Sequence, residues 1–317
     1  ALLLALQTGG RDGWTAPHVL AMGAAGLALL AVFGYVERRA EAPVLTLSLL
    51  RRPIIWVACL VGMMAGGVLI GFAAYVPLIV QGAWGGTPIE AGLIIAPLSI
   101  GWPVASSQVG KLVKRFGFRA VAISGMFALL LGCFLLLLVG LGFVSDDVVV
   151  RTVVVGIASL ISGAGFGLNT TSTLIAVQMS VAWAERGIST AVFQFFRNMG
   201  NAVAAAALGA VLTATLAPVL STPRVQALVE QMPPAAQKAN DDPSLGPVNA
   251  LFDLTVRDLI PPETRAALAD ALQNSLWWVF FGMAAMAVLA AIAVVRFPHA
   301  VHEAEPDGHA HTPAPGG

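Results

Sequence analysis

The stretch from residue 119 to residue 142, RAVAISGMFALLLGCFLLLLVGLG, carries a single charged side chain, and that charge is at its first position. About 20 apolar residues in a helix are enough to cross the roughly 30 Å hydrocarbon core of a bilayer. The stretch does not alternate between polar and apolar residues, as the strands of a membrane barrel do. It therefore predicts a membrane-spanning helix.

The rest of the 317-residue chain has the same character. Hydrophobic residues make up 57% of it and charged residues only 11%, whereas soluble domains carry about a quarter charged residues. The 17 basic and 17 acidic side chains cancel, which argues against a nucleic-acid partner. We therefore expect an all-α fold, a polytopic helical bundle whose surroundings are the lipid bilayer.

Seven stretches are long and apolar enough to span a membrane. They are residues 17–36, 53–80, 89–109, 119–142, 152–178, 188–216 and 275–296. The apolar run at residues 1–6 has no basic segment before it, so we interpret it as the end of an upstream helix and the chain as a fragment. The Pro-, Gly- and His-containing tail 297–317 is typical of disordered chain.

Lysine and arginine indicate how the helices are oriented, because basic residues concentrate in short cytoplasmic loops. The loops 37–52 and 110–119 each carry four basic residues between spans, and the loop 81–88 that separates them has no charge. We therefore predict that both basic loops and the C-terminal tail are cytoplasmic in the cell membrane. The polar segment 217–274 is then extracytoplasmic, and we interpret it as a small cap that becomes helical from Pro262.

Several polar residues lie inside the predicted spans. Gln194, Arg197, Asn198 and Asn201 follow the spacing i, i+3, i+4 and i+7, which places them on one face of a helix. Span 152–178 carries Asn169 and Thr173. Because polar groups at membrane depth are costly, they should face a bundle interior or a cavity. We predict that these six residues belong to a substrate path.

Arg197 allows two interpretations. It lies about nine residues from the predicted start of its span, which corresponds to a depth of ~13 Å at 1.5 Å per residue. At that depth it could line a cavity and orient an anion or a partner carboxylate. Alternatively, its long side chain could extend back to the cytoplasmic interface. The sequence leaves both interpretations open.

Two further patterns favour structural roles. Thr87, Pro88 and Glu90 have the spacing of a capping box at the start of a helix, so we expect Glu90 to cap that helix. Gly62 and Gly66, at a spacing of four, permit close contact between helices.

The sequence shows none of the common catalytic, phosphate-binding or metal-binding motifs. It contains no phosphate-binding loop, no zinc-protease motif and no nucleophile elbow. Cys59 and Cys133 both lie in apolar runs, which argues against a disulfide or a thiolate metal site. The tail histidines, His299, His302, His309 and His311, lack a fixed geometry for metal. We expect no enzymatic activity, no cofactor and no metal site.

Several strings, taken together and in order, resemble the major facilitator superfamily, and within it the fourteen-helix drug:proton antiporters of the EmrB/QacA type. They are ERRAEAPVL (37–45), LLRR (49–52), YVPL (75–78), TPIEAGL (87–93), GKLVKRFG (110–117) with Arg119, AVQ (176–178), GISTA (187–191) and FRNMG (196–200).

The resemblance implies a domain organisation. Residues 1–52 would comprise the end of an upstream helix, a central extra membrane helix (17–36) and a cytoplasmic loop. Residues 53–296 would be the C-terminal six-helix bundle with its extracytoplasmic loop 217–274, followed by the tail 297–317. The N-terminal bundle, which in this family carries the proton-coupling acid, would be missing from this sequence.

The resemblance also implies functional residues. In this superfamily the first, second, fourth and fifth helices of each bundle line the central cavity, which adds Tyr75 to the substrate-path candidates. The string GKLVKRFG would form a cytoplasmic gate loop containing Gly110, Arg115, Gly117 and Arg119. Lys114 stands where the family often has an acidic residue, so the charge relay of that loop is in doubt here.

The expected function is therefore the C-terminal half of a proton-driven exporter of drugs or other small amphipathic compounds, with a small-molecule substrate and protons as its partners. Two alternatives remain at this point. The protein could export an endogenous metabolite or a lipid, or it could be a non-transporting membrane interaction subunit.

Overall fold

The computed structural model describes residues 8, 15–37, 39, 51–144, 147–233 and 245–296. The predicted end of an upstream helix, most of the loop 37–52 and the tail 297–317 lie outside this part of the chain. The described elements are α1 (Pro17–Glu37), α2 (Pro53–Leu78), α3 (Pro88–Gly140), α4 (Val148–Met179), α5 (Arg186–Leu220), α6 (Pro223–Glu230), α7 (Leu254–Arg257) and α8 (Pro262–Val295). A π-helical turn (Ile79–Ala83) follows α2, and 3₁₀ turns occupy Trp183–Glu185 and Gly246–Leu251.

The predicted all-α polytopic bundle is confirmed. Within the described residues there is no strand, and six helices are long and apolar enough to cross a membrane. Seven spans were predicted, and the difference lies in α3, which contains two of them. Gly117 interrupts the helical torsion angles of α3, with φ of 83° and ψ of 162°.

The first half of α3 runs parallel to α4. A side chain at Gly163 would collide with the backbone of Leu98, and the hydroxyl groups of Ser106 and Thr171 lie 3.1 Å apart. Residue numbers therefore increase together along the two helices. This half is the predicted span 89–109, extended to Gly117.

The second half of α3 runs antiparallel to α4. A side chain at Gly125 would meet the backbone of Asn169, whereas one at Gly132 would meet Ser162, seven residues earlier in α4. The chain therefore reverses direction at Gly117. As a result, the single element α3 contributes two crossings, and the spans 89–109 and 119–142 form a hairpin against α4.

Helices α2 and α5 run parallel and pack closely. A side chain at Gly62 would lie 2.8 Å from the Phe193 ring, and one at Gly66 would lie 2.6 Å from the carbonyl oxygen of Arg197. The predicted role of these glycines in close helix contact is confirmed. Helix α8 completes the bundle, with Met283 packed against Gly71 of α2.

The described parts of the segment between α5 and α8 pack onto one end of the bundle. Val248 and Leu251 are buried in the same apolar cluster as the end of α2. The guanidinium of Arg257 donates a hydrogen bond of 2.6 Å to the carbonyl oxygen of Gly85, in the loop before α3. Helix α8 begins at Pro262 as predicted and continues without a break into the last span.

Candidate functional site

The polar face of α5 lies along its contact with α2. Gln194, Arg197 and Asn201 are each partly buried, and Asn198 is exposed. They share this face because residues at i, i+3, i+4 and i+7 align on a helix. These four predicted substrate-path residues thus share one face of α5, and the structure places Arg197 and Asn201 against Gly66 of α2.

Gly66 of α2 lies directly opposite this face. A methyl group at position 66 would be 2.6 Å from Oδ1 of Asn201 and 3.2 Å from Cγ of Arg197. Both distances are shorter than an ordinary van der Waals contact, so any residue other than glycine would displace the two polar side chains. We call this close contact, in which Gly66 accommodates Arg197 and Asn201, the Gly66 notch.

The position of the notch bears on the two interpretations of Arg197. Gly66 follows Pro53, the first residue of α2, by 13 positions, which is about 20 Å along a helix. The stem of Arg197 lies beside Gly66, and an arginine side chain cannot cover that distance to the start of α2. This geometry favours a guanidinium at membrane depth over one that extends to the interface.

The polar atoms of this face lack partners within the part of the chain that the structure describes. Oε1 of Gln194 and Oδ1 of Asn201 are buried and accept no hydrogen bond from any described residue. The Arg197 guanidinium likewise makes no hydrogen bond or ion pair with a described residue. A buried polar atom without a partner costs about 1–3 kcal/mol, so the two amide oxygens lower the stability of this arrangement.

Tyr75 lies farther along the same helix pair. It is buried, and its hydroxyl oxygen is 3.7 Å from the position that a side chain at Gly209 would take. Since Gly66 and Tyr75 are nine residues apart in α2, the notch and the tyrosine are separated by about 14 Å. Both belong to the contact between α2 and α5.

Asn169 and Thr173 belong to α4. The Asn169 amide donates a hydrogen bond of 3.0 Å to the carbonyl oxygen of Ala122, in the second half of α3. Thr173, one turn farther along α4, is also buried. The structure therefore places Asn169 against α3 and not against the α5 face, whereas the Thr173 hydroxyl makes no hydrogen bond with a described residue. Asn169 links α4 to α3 instead.

Another polar contact joins α4 and α5, and it was not predicted from the sequence. The Gln178 amide donates a hydrogen bond of 2.9 Å to the hydroxyl of Thr190. Thr190 lies four residues before Gln194, so it extends the polar face of α5 by one turn. That spacing is the signal that could have revealed it.

The residues of the predicted gate loop take different positions around the reversal of α3. Gly110 is helical and a side chain there would meet open space, while Gly117 forms the turn itself. The Arg115 guanidinium lies 5.2 Å from the centre of the Phe116 ring. Arg119 donates a hydrogen bond of 2.7 Å to the carbonyl oxygen of Val295, at the end of α8.

The fold and this face define a multi-pass membrane protein with polar groups at membrane depth. Comparison with protein families gives a match to the Major Facilitator Superfamily over residues 1–205, about two thirds of the chain. The chain belongs to that superfamily. Because it is a superfamily of transporters, this membership points to transport rather than to enzymatic chemistry.

Individual relatives cover most of this chain. It is 29% identical over 283 residues to the multidrug transporter protein MdtP of Bacillus subtilis, covering 87% of this chain and 51% of that protein. It is 30% identical to the tetracycline resistance determinant of Streptomyces rimosus, over 72% of this chain and 65% of that protein. It is also 30% identical to the efflux pump dotC of Dothistroma septosporum, over 93% of this chain and 48% of that protein. The chain thus spans about half to two thirds of the length of these curated relatives.

Proposed function

We propose that this chain is the C-terminal half of a proton-driven exporter of the fourteen-helix drug:proton antiporter family, which exports drugs or other small amphipathic compounds by alternating access. Superfamily membership and the similarity to a multidrug transporter, a tetracycline resistance determinant and an efflux pump support this proposal. One helix before a unit of six crossings is the pattern expected of that half. The protein would lie in the cell membrane with its C-terminus in the cytoplasm.

The substrate path is proposed to follow the contact between α2 and α5. The observation that carries this proposal is the Gly66 notch, where glycine leaves room for Arg197 and Asn201. Gln194, Asn198 and Tyr75 would line the same path. Asn169 would shape it indirectly, by holding α4 against α3, and Thr173 would contribute from the same buried part of α4.

The gate is proposed to lie at the opposite end of the bundle from the loop before α3. Gly110, Arg115, Gly117 and Arg119 surround the reversal of α3, and Arg119 connects that reversal to the end of α8. When this half rocks against the other half of the transporter, this end would open and close.

Proton coupling requires a carboxylate that titrates along the transport path. Glu90 accepts a hydrogen bond of 2.7 Å from the backbone nitrogen of Thr87, so its carboxylate is engaged in capping α3. We therefore propose that the coupling acid belongs to the N-terminal bundle, as the family resemblance implies.

The test uses the full-length gene product, expressed in a bacterium that lacks its own efflux pumps and loaded with the neutral dye Nile red. We expect dye efflux that stops when a protonophore collapses the proton gradient. Arg197→Ala should reduce the efflux rate at equal expression. The control Arg224→Ala, in the exposed helix α6, should leave it unchanged.

Two results would contradict the proposal. Efflux that persists without a proton gradient would exclude proton coupling. No efflux from correctly inserted protein would instead favour an endogenous metabolite or lipid as substrate, or a non-transporting subunit.

A further inference from the structure

We propose that a cavity at the start of α8 binds an aromatic organic anion, meaning a carboxylate carried on a flat ring system. The cavity lies between the loop before α3 and the first turns of α8, and its volume is about 420 Å³. That volume is typical of small-molecule sites. Its lining residues differ from those of the proposed substrate path, so this site goes beyond the proposed function. In the proposed orientation it faces the extracytoplasmic side.

The first argument is the charge around the cavity. Two arginines line it, Arg257 at the end of α7 and Arg265 near the start of α8, and its described lining residues include no acidic side chain. Guanidinium groups are always charged in proteins, so two of them at one cavity repel each other, and an anion between them offsets that repulsion. They also bind carboxylates through two parallel hydrogen bonds. The cavity therefore favours an anionic ligand.

Carboxylates close to this cavity in the sequence are engaged outside it. Asp253 accepts a hydrogen bond of 2.9 Å from the backbone nitrogen of Thr255 and thereby caps α7. Glu90 caps α3 in the same manner. Asp258 lies 3.9 Å from Nη1 of Arg265, and its side chain is 77% exposed. An exposed ion pair contributes little free energy, so the charge of Arg265 remains available to a ligand.

The second argument is that this side of the cavity is already in place. Nη1 of Arg257 donates a hydrogen bond of 2.6 Å to the carbonyl oxygen of Gly85, and a guanidinium has further N–H donors for a ligand. The loop that carries Gly85 is closely packed, since a side chain at Gly82 would lie 2.9 Å from the ring of Phe252. A preformed site loses less entropy when its ligand binds.

The third argument is the aromatic and apolar part of the lining. Trp84, Leu251 and Ala269 all border the cavity. The guanidinium of Arg151 lies 5.9 Å from the centre of a Trp84 ring, and such a cation–π contact helps to hold the indole. Aromatic ligands pack favourably against a held ring. A flat apolar body with one anionic group therefore matches both parts of the cavity.

A neighbouring cavity provides an internal contrast. It lies between α6 and α8, has a volume of about 630 Å³ and is lined by Arg224 together with Glu263 and Asp270. Side chains of both charge signs do not select an anion. A preference for anions is therefore expected of the cavity at Arg257 and Arg265 alone, although the two cavities share Ala266.

The experiment measures binding to the purified full-length protein in phosphatidylcholine nanodiscs by isothermal titration calorimetry, with empty nanodiscs as the blank. The probes are 2-naphthoate and its neutral analogue 2-naphthamide, which share the ring system and differ in charge. Hydrogen bonds to charged groups are the stronger class, so we expect 2-naphthoate to bind about ten-fold more tightly.

Arg265→Gln should remove most of this preference, and Arg265→Lys should retain part of it because the charge stays. The matched control is Arg224→Gln, which removes a charge from the neighbouring cavity and should leave the preference intact. The melting temperature of each variant shows whether it is folded.

Trp84→Leu tests the aromatic part of the inference. It should weaken both probes to a similar degree, whereas Trp84→Phe keeps a ring and should retain most of the affinity. This arm also separates an aromatic anion from the phosphate of a lipid headgroup, which needs no ring.

Equal affinities for the two probes, or failure of both to bind, would overturn the inference. So would a preference that survives Arg265→Gln or one that Arg224→Gln removes. If Trp84→Leu left the affinity for 2-naphthoate unchanged, the aromatic assignment would be wrong. None of these measurements involves transport, so they are independent of the efflux test of the proposed function.

Discussion

The guanidinium of Arg52, immediately before α2, donates a hydrogen bond of 2.7 Å to the carbonyl oxygen of Ser180, immediately after α4. The last carbonyl groups of a helix lack partners within the helix and carry partial negative charge. Arg119 binds the end of α8 in the same way. Arg52 and Arg119 belong to the basic loops that predict the orientation in the membrane. In the structure they also bind the C-terminal ends of other helices.

Removing the Arg52 side chain should loosen this end of the bundle. We expect Arg52→Gln to lower the free energy of unfolding by about 1 kcal/mol or less, because the side chain is half exposed and solvent weakens the interaction. The melting temperature in detergent would show this as a small decrease. Arg51→Gln is the matched control and should have no effect, and equal decreases in both variants would contradict the assignment.

A methyl group at position 200 should force α2 and α5 apart. A side chain at Gly200 would collide with the backbone carbonyl of Met63, and added atoms in a packed contact cost about 1–3 kcal/mol. We expect Gly200→Ala to lower the melting temperature. Gly156→Ala, where a side chain meets open space, should leave it unchanged or raise it slightly. Similar stability of the two variants would mean that the helices can separate freely.

The reversal of α3 should depend on glycine at position 117. Its φ of 83° with ψ of 162° is a conformation essentially restricted to glycine, and other residues pay about 1–3 kcal/mol to adopt it. Gly117→Ala should therefore reduce the yield of folded protein in size-exclusion chromatography. Gly110→Ala, at a helical position with open space, should not reduce it, and an unaffected Gly117→Ala would contradict the hairpin.

Glu90 should contribute to stability and not to coupling. Its backbone nitrogen donates to Oγ1 of Thr87 at 3.3 Å, and the backbone nitrogen of Thr87 donates to its carboxylate. Glu90→Gln keeps an acceptor and should preserve proton-dependent efflux. Thr87→Val should cost about 1 kcal/mol of stability. If efflux by Glu90→Gln no longer depended on the proton gradient, Glu90 would be the coupling acid.

Features set by neighbouring residues were predictable from the sequence. The capping box at Glu90 and the start of α8 at Pro262 were both predicted and are both confirmed, because each depends on contacts within one turn of helix. Hydropathy also predicted both crossings of α3. It could not show that helical structure continues on both sides of Gly117, because hydropathy reports apolar length and not backbone torsion angles.

Features that depend on which helices are neighbours were not predictable in the same way. Polarity selected Asn169 and Asn201 alike, yet the first faces Ala122 and the second faces Gly66. Periodicity assigns a residue to a face of its own helix but does not identify the helix opposite. The role of Gly66 in accommodating polar side chains therefore emerged only from the packing of α2 on α5.

Glycines bring α2 and α5 into close contact. Gly66 meets the backbone of Arg197 and Gly200 meets that of Met63, while Gly62 and Gly67 accommodate the side chains of Phe193 and Ala204. Sliding one helix by a turn, about 5.4 Å, would place a side chain where only a glycine fits. The two helices are therefore expected to travel as one rigid body during any conformational change. The polar side chains of α5 would then keep their positions relative to α2 throughout that change.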